Sequence, residues 1–591
     1  QTAEAGEFAG QTLDESNKTI LAKMKEDGTL LASQKIVHSY PHCWRCKKPV
    51  MFRATDQWFC SVDAIKEDAV KAIENVEWIP EWGEERIKGM VRERRDWCIS
   101  RQRRWGVPIP ILYCKDCGKP IINDETVKAI SDLFRKEGSD AWYIRDPKEF
   151  LPEGFACDCG CTEFTKEQDI LDVWFDSGVT HAAVLKQRPE LKWPADLYLE
   201  GADQYRGWFQ SSLLTSVGAL GHGAPFKQVL THGWTVDGQG RAMHKSLGNG
   251  IDPLEMADKY GADALRFNLI TGNSPGNDMR FFVEKCEAMR NFANKIWNAS
   301  RFVMMNLSID KVQLPEKLEL EDKWVLSRLN TLIREVTDNL EAYELGVASA
   351  KIYDFIWDTY CDWYIELTKT RLNGEDGSAK LAAENVLCYV LLRILELLHP
   401  FMPFITEEIY QALPGSAETI MNEKWPGDEN MKVWAEDCAD FEKLMDYIKA
   451  VRAMRAEMNV HPAKKTSMVI ETASPAAFEK GGAYLARFAF ATDVTVTAKY
   501  EGSTDGMVNV ATPDAKGFIP MMELIDRDKE LARLNKELTK AEKELGMFTN
   551  QLNNPKFVEK APAKLVEETR AKLAAAQEKT AKIKESIAAL G

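Results

Sequence analysis

The C-terminal part of the chain carries two apolar seams with alternating three- and four-residue spacing, and this pattern leaves few folds open. Heptad spacing places the apolar side chains on one stripe of a helix, which is then buried against another helix. A proline-containing break between the seams favours an antiparallel hairpin, with a dimerising coiled coil as the alternative. The seams are Leu531, Leu534, Leu538, Ala541, Leu545, Phe548 and Leu552, and Val566, Thr569, Leu573, Ala576, Thr580, Ile583, Ile587 and Leu590.

The pattern changes along the rest of the chain. Between residues 50 and 270, short apolar runs such as 107–112, 170–175 and 227–230 alternate with longer helical stretches, which predicts a parallel α/β sheet. Residues 284–435 are helical with few breakers, as in a helical bundle. Residues 441–515 combine a basic helix with strand-like segments and predict a small α+β domain. A chain of 591 residues has room for several domains.

Composition argues against two classes of protein. The sequence shows neither a basic-then-apolar leader nor an apolar run of about 18 residues. We therefore expect a cytoplasmic protein that is neither secreted nor membrane-spanning. A net charge of −15 argues against indiscriminate nucleic-acid binding but leaves local basic faces open. Thirteen cysteines, partly in close pairs, favour metal ligation or free thiols over a disulfide framework.

Two cysteine clusters about forty residues apart predict a structural zinc site, with unrelated free thiols as the alternative. Four thiolates from two knuckles suit tetrahedral Zn²⁺. The second cluster offers three cysteines for two positions. Gly160 favours Cys157 with Cys159, because a glycine after the last ligand lets backbone amides turn toward sulfur. The predicted ligands are Cys114, Cys117, Cys157 and Cys159, with Cys161 as the alternate.

A glycine-rich loop at residues 238–249 follows an apolar strand and contains one well-placed lysine. Gly238 and Gly240 allow a tight turn, and Lys245 with Ser246 can bring charge and a hydroxyl donor to a polyphosphate. This pattern indicates a loop that binds ATP.

Four motifs occur in the order found in isoleucyl-, valyl- and leucyl-tRNA synthetases, so the chain resembles the class I aminoacyl-tRNA synthetases. They are residues 97–110 (Trp-Cys-Ile-Ser-Arg-Gln-Arg-Arg-Trp-Gly-Val-Pro-Ile-Pro), 172–178 (Asp-Val-Trp-Phe-Asp-Ser-Gly), 199–209 (Leu-Glu-Gly-Ala-Asp-Gln-Tyr-Arg-Gly-Trp-Phe) and the loop at 238–249. In that loop, Ala242 and His244 replace the lysine and the serine that usually open the family's signature.

The resemblance implies a partial Rossmann-type α/β catalytic domain, an all-α anticodon-binding bundle, a small α+β junction domain and a C-terminal coiled-coil hairpin that binds tRNA. The implied boundaries are 1–40 for the tail of an inserted editing domain, 41–275 for the catalytic domain with a zinc-knuckle insertion at 113–164, 276–440 for the bundle, 441–520 for the junction and 521–591 for the hairpin.

The resemblance also implies residue roles. Lys245 would stabilise charge on the reacting phosphates, and Trp174 and Trp208 would form the aromatic walls of a pocket for a branched aliphatic amino acid. The residues expected near ATP and the aminoacyl-adenylate are Glu200, Gly201, Asp203, Gln204, His232, Gly233, Met243 and Ser246.

The implied reaction has two steps. The amino-acid carboxylate attacks the α-phosphate of ATP, which Mg²⁺ accompanies, and a terminal ribose hydroxyl of tRNA then takes the acyl group. A phosphate-facing patch for tRNA is expected at Arg452, Arg455, Lys464 and Lys465.

The two parts of the sequence resemble enzymes for different amino acids. Residues 1–249 resemble an isoleucyl enzyme and residues 250–591 a valyl enzyme, which suggests the hypothesis of a chimera. The expected partners are valine or isoleucine with tRNA(Val) or tRNA(Ile). Valine is preferred, because the tRNA-binding half resembles the valyl enzyme. A monomer is expected.

The family's first ATP motif, His-Ile-Gly-His, does not occur in the sequence. We therefore expect negligible adenylation by this chain alone. The alternatives from other classes are a different adenylate-forming enzyme and a non-catalytic tRNA-binding protein.

Overall fold

The computed structural model describes residues 2–590 except 44–45, 51, 53, 245–246, 428–431, 462, 525–526 and 556–562. The chain divides into two compact units, and each is described here by itself. The first unit comprises residues 1–66 and 93–179, and the second comprises residues 67–92 and 180–591.

The first unit contains small antiparallel sheets. Strand Phe59–Cys60 pairs with Trp97–Cys98, Ser100–Arg101 pairs with Ile170–Leu171, and a three-stranded sheet has the order Pro120–Ile121, Leu112–Cys114, Phe164–Lys166. Its helices are Leu13–Glu26, Asp124–Glu137, Ala141–Ile144 and Val173–Gly178, with 3-10 turns at Ala3–Phe8, Asp63–Ile65 and Pro147–Phe150.

The three-stranded sheet of the first unit has a core of its own. Trp142 and Phe150 are fully buried there, beside the strand residues Leu112 and Phe164. Helix Asp124–Glu137 covers this core, and the Asn123 side chain caps it by accepting a hydrogen bond from the Thr126 amide at 2.9 Å. The segment from 112 to 166 is therefore packed as a small body around its cysteine clusters.

Two apolar runs adopt a structure that differs from the predicted parallel sheet. Residues 107–112 and 170–175 contribute to antiparallel pairs, and Val173–Gly178 is helical. Prolines at 108 and 110 remove backbone donors that a central strand would need. The Asp172 carboxylate caps the helix by accepting a hydrogen bond from the Trp174 amide at 3.4 Å.

The second unit begins with a parallel sheet, as predicted for the catalytic half. Strand Phe226–His232 lies between Glu77–Ile79 and Ala195–Gly201 and is parallel to both. Val229 and Tyr198 are buried on neighbouring strands. Helices Lys66–Ile73, Trp82–Arg92 and Trp208–Leu214 accompany the sheet, with π-helical turns at His181–Leu185 and Thr215–Ala219 and a 3-10 turn at Ala202–Arg206. Strand Thr235–Val236 pairs in parallel with Met279–Arg280.

The middle of the chain is a helical bundle, which confirms the prediction. Leu387, Leu391 and Leu395 of its long helix Gly377–Leu398 are buried at four-residue spacing. The helices are Pro253–Tyr260, Ala262–Ile270, Val283–Met305, Leu320–Glu341, Leu345–Asp354, Phe355–Tyr364 (π-helical), Ile365–Leu372, Gly377–Leu398, Pro403–Gln411 and Ala435–Glu457, with a 3-10 turn at Ile420–Asn422.

The α+β segment that follows contains a four-stranded sheet of order Ala491–Thr497, Thr466–Thr472, Ala515–Pro520, Met507–Ala511. The first two strands are parallel and the other pairs antiparallel. Helices Pro475–Lys480 and Gly482–Phe488 connect the parallel pair. Helix Ala435–Glu457 runs across the predicted boundary at residue 440, and one buried cluster includes residues of the bundle together with Ile470 and Ile519 of this sheet.

A buried ion cluster lies among these helices. The Arg371 guanidinium donates to both Asp322 carboxylate oxygens, at 2.8 and 2.5 Å, and approaches Glu321 at 3.0 Å. The Tyr364 hydroxyl donates to Asp322 at 2.7 Å, and the Tyr484 hydroxyl donates to Glu321. Asp322 is fully buried, and burial raises the pKa of the Glu321 carboxyl. The single guanidinium therefore balances two carboxyl groups.

The C-terminal helices form the predicted hairpin. Helices Arg527–Leu552 and Ala563–Leu590 follow the short helix Met521–Leu524. Seam residues Leu534, Ala541 and Ile583 are buried in one cluster. Glu542 pairs with Lys584 at 2.8 Å and Glu544 with Lys579 at 3.8 Å, so the numbering descends along one helix as it rises along the other. The two seams pack against each other within one chain.

Among the described residues, no helix combines the length and the apolar character that a bilayer crossing requires.

Candidate functional site

The carboxyl ends of two parallel strands bring four predicted site residues together. In the register of strands Ala195–Gly201 and Phe226–His232, Glu200 lies opposite Thr231, and Gly201 lies opposite His232. Glu200, Gly201, His232 and Gly233 therefore lie along one sheet edge. In open α/β sheets, ligands bind outside the carboxyl ends of the strands.

Gly201 lies close to the side chains of two other predicted site residues. A Cβ on Gly201 would lie 2.8 Å from Asp203 Oδ1 and 3.3 Å from His232 Cε1. The His232 ring is oriented by its own backbone, because Nδ1 lies 2.7 Å from the Gly233 carbonyl oxygen. In the neutral ring this contact puts the proton on Nδ1 and makes Nε2 the acceptor.

Gly233 is packed against protein backbone on the side where a side chain would be. A Cβ there would lie 2.1 Å from Asn277 O and 2.6 Å from Asp278 N. The segment 276–279 is held at this position by hydrogen bonds from Gly276 N to Thr231 O at 2.7 Å and from Met279 N to Trp234 O at 2.8 Å. The sequence predicted Gly233 near ATP and the aminoacyl-adenylate, and the structure adds this packing requirement.

We expect Gly233→Ala to destabilise the second unit by about 3 kcal/mol, because a backbone strand cannot yield as a flexible side chain would. Urea unfolding followed by circular dichroism measures this change. Gly250→Ala is the matched control, since nothing lies within 4 Å of a Cβ at that position. Equal unfolding midpoints for the two variants would contradict the prediction.

Gln204 links the motif at residues 199–209 to the first turn of helix Trp208–Leu214. Its Oε1 accepts a hydrogen bond from the Trp208 amide at 2.9 Å, and its Nε2 donates to Asp203 Oδ2 at 2.9 Å. The Trp208 indole stacks on the buried Tyr198 ring, with centroids 4.0 Å apart and planes 7° from parallel. Asp203, Gln204 and Trp208 are thus positioned as one connected group.

Trp174, the other predicted pocket wall, belongs to the first unit. Its side chain is 41% exposed and lines a cavity together with Arg101, Arg104 and Trp105. The preceding Asp172 is buried and holds the motif in place. Asp172 Oδ2 accepts hydrogen bonds from Trp97 Nε1 and pairs with Arg101, both at 2.9 Å.

The glycine-rich loop is closed by a pair of residues that the sequence interpretation missed. Asp237 at its start accepts hydrogen bonds from the Arg241 amide, Arg241 Nε and Asn249 Nδ2, each at 2.9 Å. Asn249 at its end accepts from the His244 amide at 2.9 Å. The hydrogen bond from Asn249, with those from Arg241, holds the pKa of the Asp237 carboxyl well below its usual range. The only signal in the sequence was an acid and an amide flanking the glycines.

Three predicted residues belong to this loop. Lys245 and Ser246 lie outside the described residues. Met243 packs, half-buried, against a small core that contains Tyr260 and Phe281. Its predicted contact with adenine stays a prediction.

Four cysteine sulfurs from the two knuckles come together in the first unit. The Sγ atoms of Cys114, Cys117, Cys157 and Cys159 all lie within 4.8 Å of one another. Cys114 is 3.5 Å from Cys159, and Cys117 is 3.6 Å from Cys157. Tetrahedral zinc with Zn–S bonds of about 2.3 Å requires sulfur–sulfur distances of about 3.8 Å. The donor set therefore fits Zn²⁺ without rearrangement of the knuckles.

Backbone geometry around the first knuckle favours a thiolate at Cys114. Gly118 and Gly160 both have φ in the left-handed region, at 67° and 87°, directly after Cys117 and Cys159. The backbone N–H of Cys117, helped by that of Asp116, lowers the pKa of the Cys114 thiol to about 6. Cys161 is engaged elsewhere, because its buried Sγ accepts from the Glu163 amide at 3.3 Å.

The predicted tRNA patch needs one correction. Arg452 and Lys465 are exposed and Lys464 is half-buried, but Arg455 is only 4% exposed. Its guanidinium donates to the carbonyl oxygens of His461 and Lys464 and lies 4.9 Å from the centre of the Phe490 ring. Arg455 therefore holds the turn after helix Ala435–Glu457 and does not face solvent. The charge of Arg455 is evident from the sequence, but the burial of this face of the helix depends on the fold.

Three family models match the chain in succession. Residues 10–282 match tRNA synthetases class I (I, L, M and V), residues 322–470 match the anticodon-binding domain of tRNA ligase, and residues 526–591 match the valyl tRNA synthetase tRNA binding arm. The matches follow one another in the same order as the parallel sheet, the helical bundle and the hairpin.

Curated relatives include enzymes for both candidate amino acids. An isoleucine–tRNA ligase of Thermoanaerobacter sp. (strain X514) is 47% identical over 467 residues, which cover 76% of this chain and 49% of the relative. A valine–tRNA ligase of Clostridium acetobutylicum is 40% identical over 598 residues, covering 99% of this chain and 65% of the relative. The chain thus spans about half to two thirds of the length of these relatives. Among solved structures, a Mycobacterium tuberculosis methionyl-tRNA synthetase is 18% identical with a TM-score of 0.46, covering 64% of this chain and 66% of that one.

Both alignments cross the point where the sequence suggested a chimera. The isoleucine relative matches 76% of the chain, whereas residues 1–249 make up less than half of it. Its similarity therefore continues beyond residue 249, and the similarity to the valine relative extends across nearly the whole chain. Neither alignment ends at residue 249, and the chimera stays a hypothesis.

Proposed function

The chain belongs to the class I aminoacyl-tRNA synthetases, and from this membership we propose that it serves the ATP-dependent attachment of a branched aliphatic amino acid to tRNA. The observation that carries the proposal is the sheet edge where Glu200 and Gly201 lie beside His232, with Gln204 linking that edge to Trp208. A phosphate loop on an unrelated adenylate-forming enzyme would not require the bundle and the hairpin that follow.

Each residue group has a chemical task in this proposal. The carboxylates of Glu200 and Asp203 can accept hydrogen bonds from the ribose hydroxyls or the amino-acid ammonium group. Trp208 offers an apolar wall for a branched side chain. Lys245 would neutralise charge that develops on the phosphates of the ATP–Mg²⁺ complex. Position and charge, more than a protein nucleophile, then favour attack of the amino-acid carboxylate on the α-phosphate.

For the amino acid, we propose valine, with isoleucine as the alternative. The arm model matched by residues 526–591 is described as valyl, and the valine relative aligns with 99% of the chain against 76% for the isoleucine relative. The corresponding tRNA partner is tRNA(Val), with tRNA(Ile) as the alternative. Exposed Arg452 and Lys465, with half-buried Lys464, supply positive charge for phosphate contacts.

For the four cysteines, we propose a structural zinc site. Cys114, Cys117, Cys157 and Cys159 would hold the ion and leave no coordination position for substrate. When bound, Zn²⁺ would cross-link the two knuckles. Backbone hydrogen bonds already close the turn of each knuckle, from Gly118 N to Cys114 O at 3.0 Å and from Gly160 N to Cys157 O at 2.7 Å.

Aminoacylation tests the proposed reaction. The chain, joined to the part of the valine relative that the alignment leaves out, is assayed with valine and isoleucine against both tRNAs. We expect valine on tRNA(Val), and about a 10²–10³-fold lower rate for Lys245→Ala, as for the loss of one charge donor to a transition state. The chain alone is expected to give no ATP–pyrophosphate exchange.

Lys227→Ala is the matched control for the lysine, because Lys227 is exposed and pairs only at the surface with Asp196, at 3.0 Å. Its rate should equal that of the unaltered protein. Isoleucine on tRNA(Ile) would select the alternative substrate. Binding of tRNA without any aminoacylation would favour a non-catalytic tRNA-binding role.

A further inference from the structure

Trp208 is the outer end of a row of aromatic rings that runs from strand to strand across the parallel sheet. Behind its stacked partner Tyr198 lies Phe226 on the neighbouring strand, with ring centroids 4.7 Å apart. Trp78 follows on the third strand, with its centroid 6.1 Å from that of Phe226. Tyr198, Phe226 and Trp78 are all at most 4% exposed. The face of Trp208 that meets Tyr198 therefore rests on a rigid support.

The edge of the same indole is fixed by a hydrogen bond. Trp208 Nε1 donates to the Thr180 hydroxyl oxygen at 3.3 Å, while the Trp208 backbone amide is bound by Gln204. A stacked face prevents tilting of the ring, and a bonded edge prevents rotation about the side-chain torsions. The Tyr198 side chain is also hydrogen-bonded to Thr180, so the two residues support the indole together.

We propose that Tyr198 and Thr180 are positioning residues that set how far the Trp208 indole projects, and thereby set the preference between valine and isoleucine. The inference rests on the proposed function, in which Trp208 is a wall of the amino-acid pocket. These two amino acids differ by one methylene, and a hydrophobic pocket separates such a pair by about 10–200-fold. A small displacement of a supported wall changes the space available to that methylene, so the supporting residues control the ratio of affinities.

Each of the two supporting residues can be replaced in a disruptive or in a conservative way. Tyr198→Leu removes the stacked ring, so the indole can move back and admit the larger side chain, whereas Tyr198→Phe keeps the stack. Thr180→Val removes the acceptor while keeping the shape, whereas Thr180→Ser keeps the acceptor. We expect Tyr198→Leu and Thr180→Val to change the valine-to-isoleucine affinity ratio by about tenfold, and Thr180→Ser to preserve it. Tyr198→Phe keeps the stacked ring but removes the hydroxyl that bonds to Thr180, so we expect a smaller change of the ratio than for Tyr198→Leu.

The experiment uses the full chain labelled with 5-fluorotryptophan. Fluorine NMR resolves the Trp208 resonance, which Trp208→Phe identifies by its loss. L-valine and L-isoleucine are titrated separately, and the movement of this resonance gives the two dissociation constants. The position of the resonance without ligand reports whether the indole has moved, so the structural cause and the affinity ratio are measured in one sample.

The outcomes separate this inference from the proposed function. If neither amino acid moves the Trp208 resonance of the unaltered chain, the assignment of Trp208 to the pocket fails and the inference falls with it. If both amino acids bind but Thr180→Val and Tyr198→Leu leave their ratio unchanged, only the inference is overturned. Should Tyr198→Leu fail to fold, the near-isosteric pair Thr180→Val and Thr180→Ser decides alone. A valine-to-isoleucine affinity ratio that changes in Thr180→Val and is unchanged in Thr180→Ser supports the inference.

Discussion

Replacement of Cys117 by serine is expected to release zinc from the first unit and to unfold the segment from residue 112 to 166, while the helical bundle stays folded. Binding of structural zinc contributes an apparent free energy of about 10–16 kcal/mol to the folding of small zinc-binding peptides. A small hydrophobic core cannot replace this contribution when the zinc is lost. The core around Trp142 and Phe150 is small and separate. Three remaining thiolates leave the fourth position to water, so they bind Zn²⁺ less tightly than four.

Metal analysis by mass spectrometry and hydrogen exchange measure the two effects. We expect one zinc ion per chain in the unaltered protein and a strong loss of amide protection confined to this segment in the variant. Cys161→Ser is the matched control, because the Cys161 sulfur is bonded to the backbone of Glu163 and lies outside the set of four. Retention of zinc by Cys159→Ser together with its loss in Cys161→Ser would show that the ligand set is wrong.

Arg371→Met is expected to lower the free energy of unfolding of the bundle by about 3–5 kcal/mol, because it leaves buried carboxyl groups without their partner. Arg371 is the group that donates to both Asp322 oxygens and also approaches Glu321. Methionine fills much of the same volume, so the loss reflects charge and hydrogen bonding more than a cavity. Urea unfolding at pH 8 measures the change.

The pH dependence gives this prediction a second readout. Burial already raises the pKa of Glu321, and loss of the guanidinium raises it further. A carboxyl whose pKa is higher in the folded state binds more protons there, so stability falls as pH rises through the interval between its unfolded and folded pKa values. The deficit of Arg371→Met should therefore shrink as the pH is lowered from 8 toward 5.

Arg188→Met is the control for this substitution. Arg188 pairs with Glu190 at 2.5 Å on the surface, where both side chains are more than half exposed. Such exposed pairs contribute less than about 1 kcal/mol. Equal losses for the two arginine variants, or a deficit independent of pH, would contradict the role given to the buried cluster.

The sequence predicted best those features whose signal is local and periodic. Seam residues such as Leu534 and Ile583 repeat at helical spacing, so the hairpin follows from the chain itself. The cysteine knuckles are equally local, and the structure brings Cys114 and Cys117 to Cys157 and Cys159. The helical bundle was predicted for the same reason.

Features that depend on long-range packing were not predictable in this way. The run at 107–112 has the composition of a buried strand, but only its pairing partners reveal an antiparallel sheet. Arg455 carries the charge of a phosphate ligand, but the fold turns it toward backbone carbonyls. Asp237 and Asn249 are twelve residues apart, and only the closed loop shows that they bond to each other. Each case requires knowledge of which face of an element is covered.

The buried face of helix Ala435–Glu457 has a consequence for how this protein can be divided. Phe441, Tyr447 and Val451 belong to a continuous cluster that also contains Leu391 from the bundle and Ile470 from the four-stranded sheet. A cut near residue 440 would expose apolar surface on both fragments. We therefore expect residues from the bundle to the end of this sheet to melt in a single transition, and a protease to release them as one resistant piece.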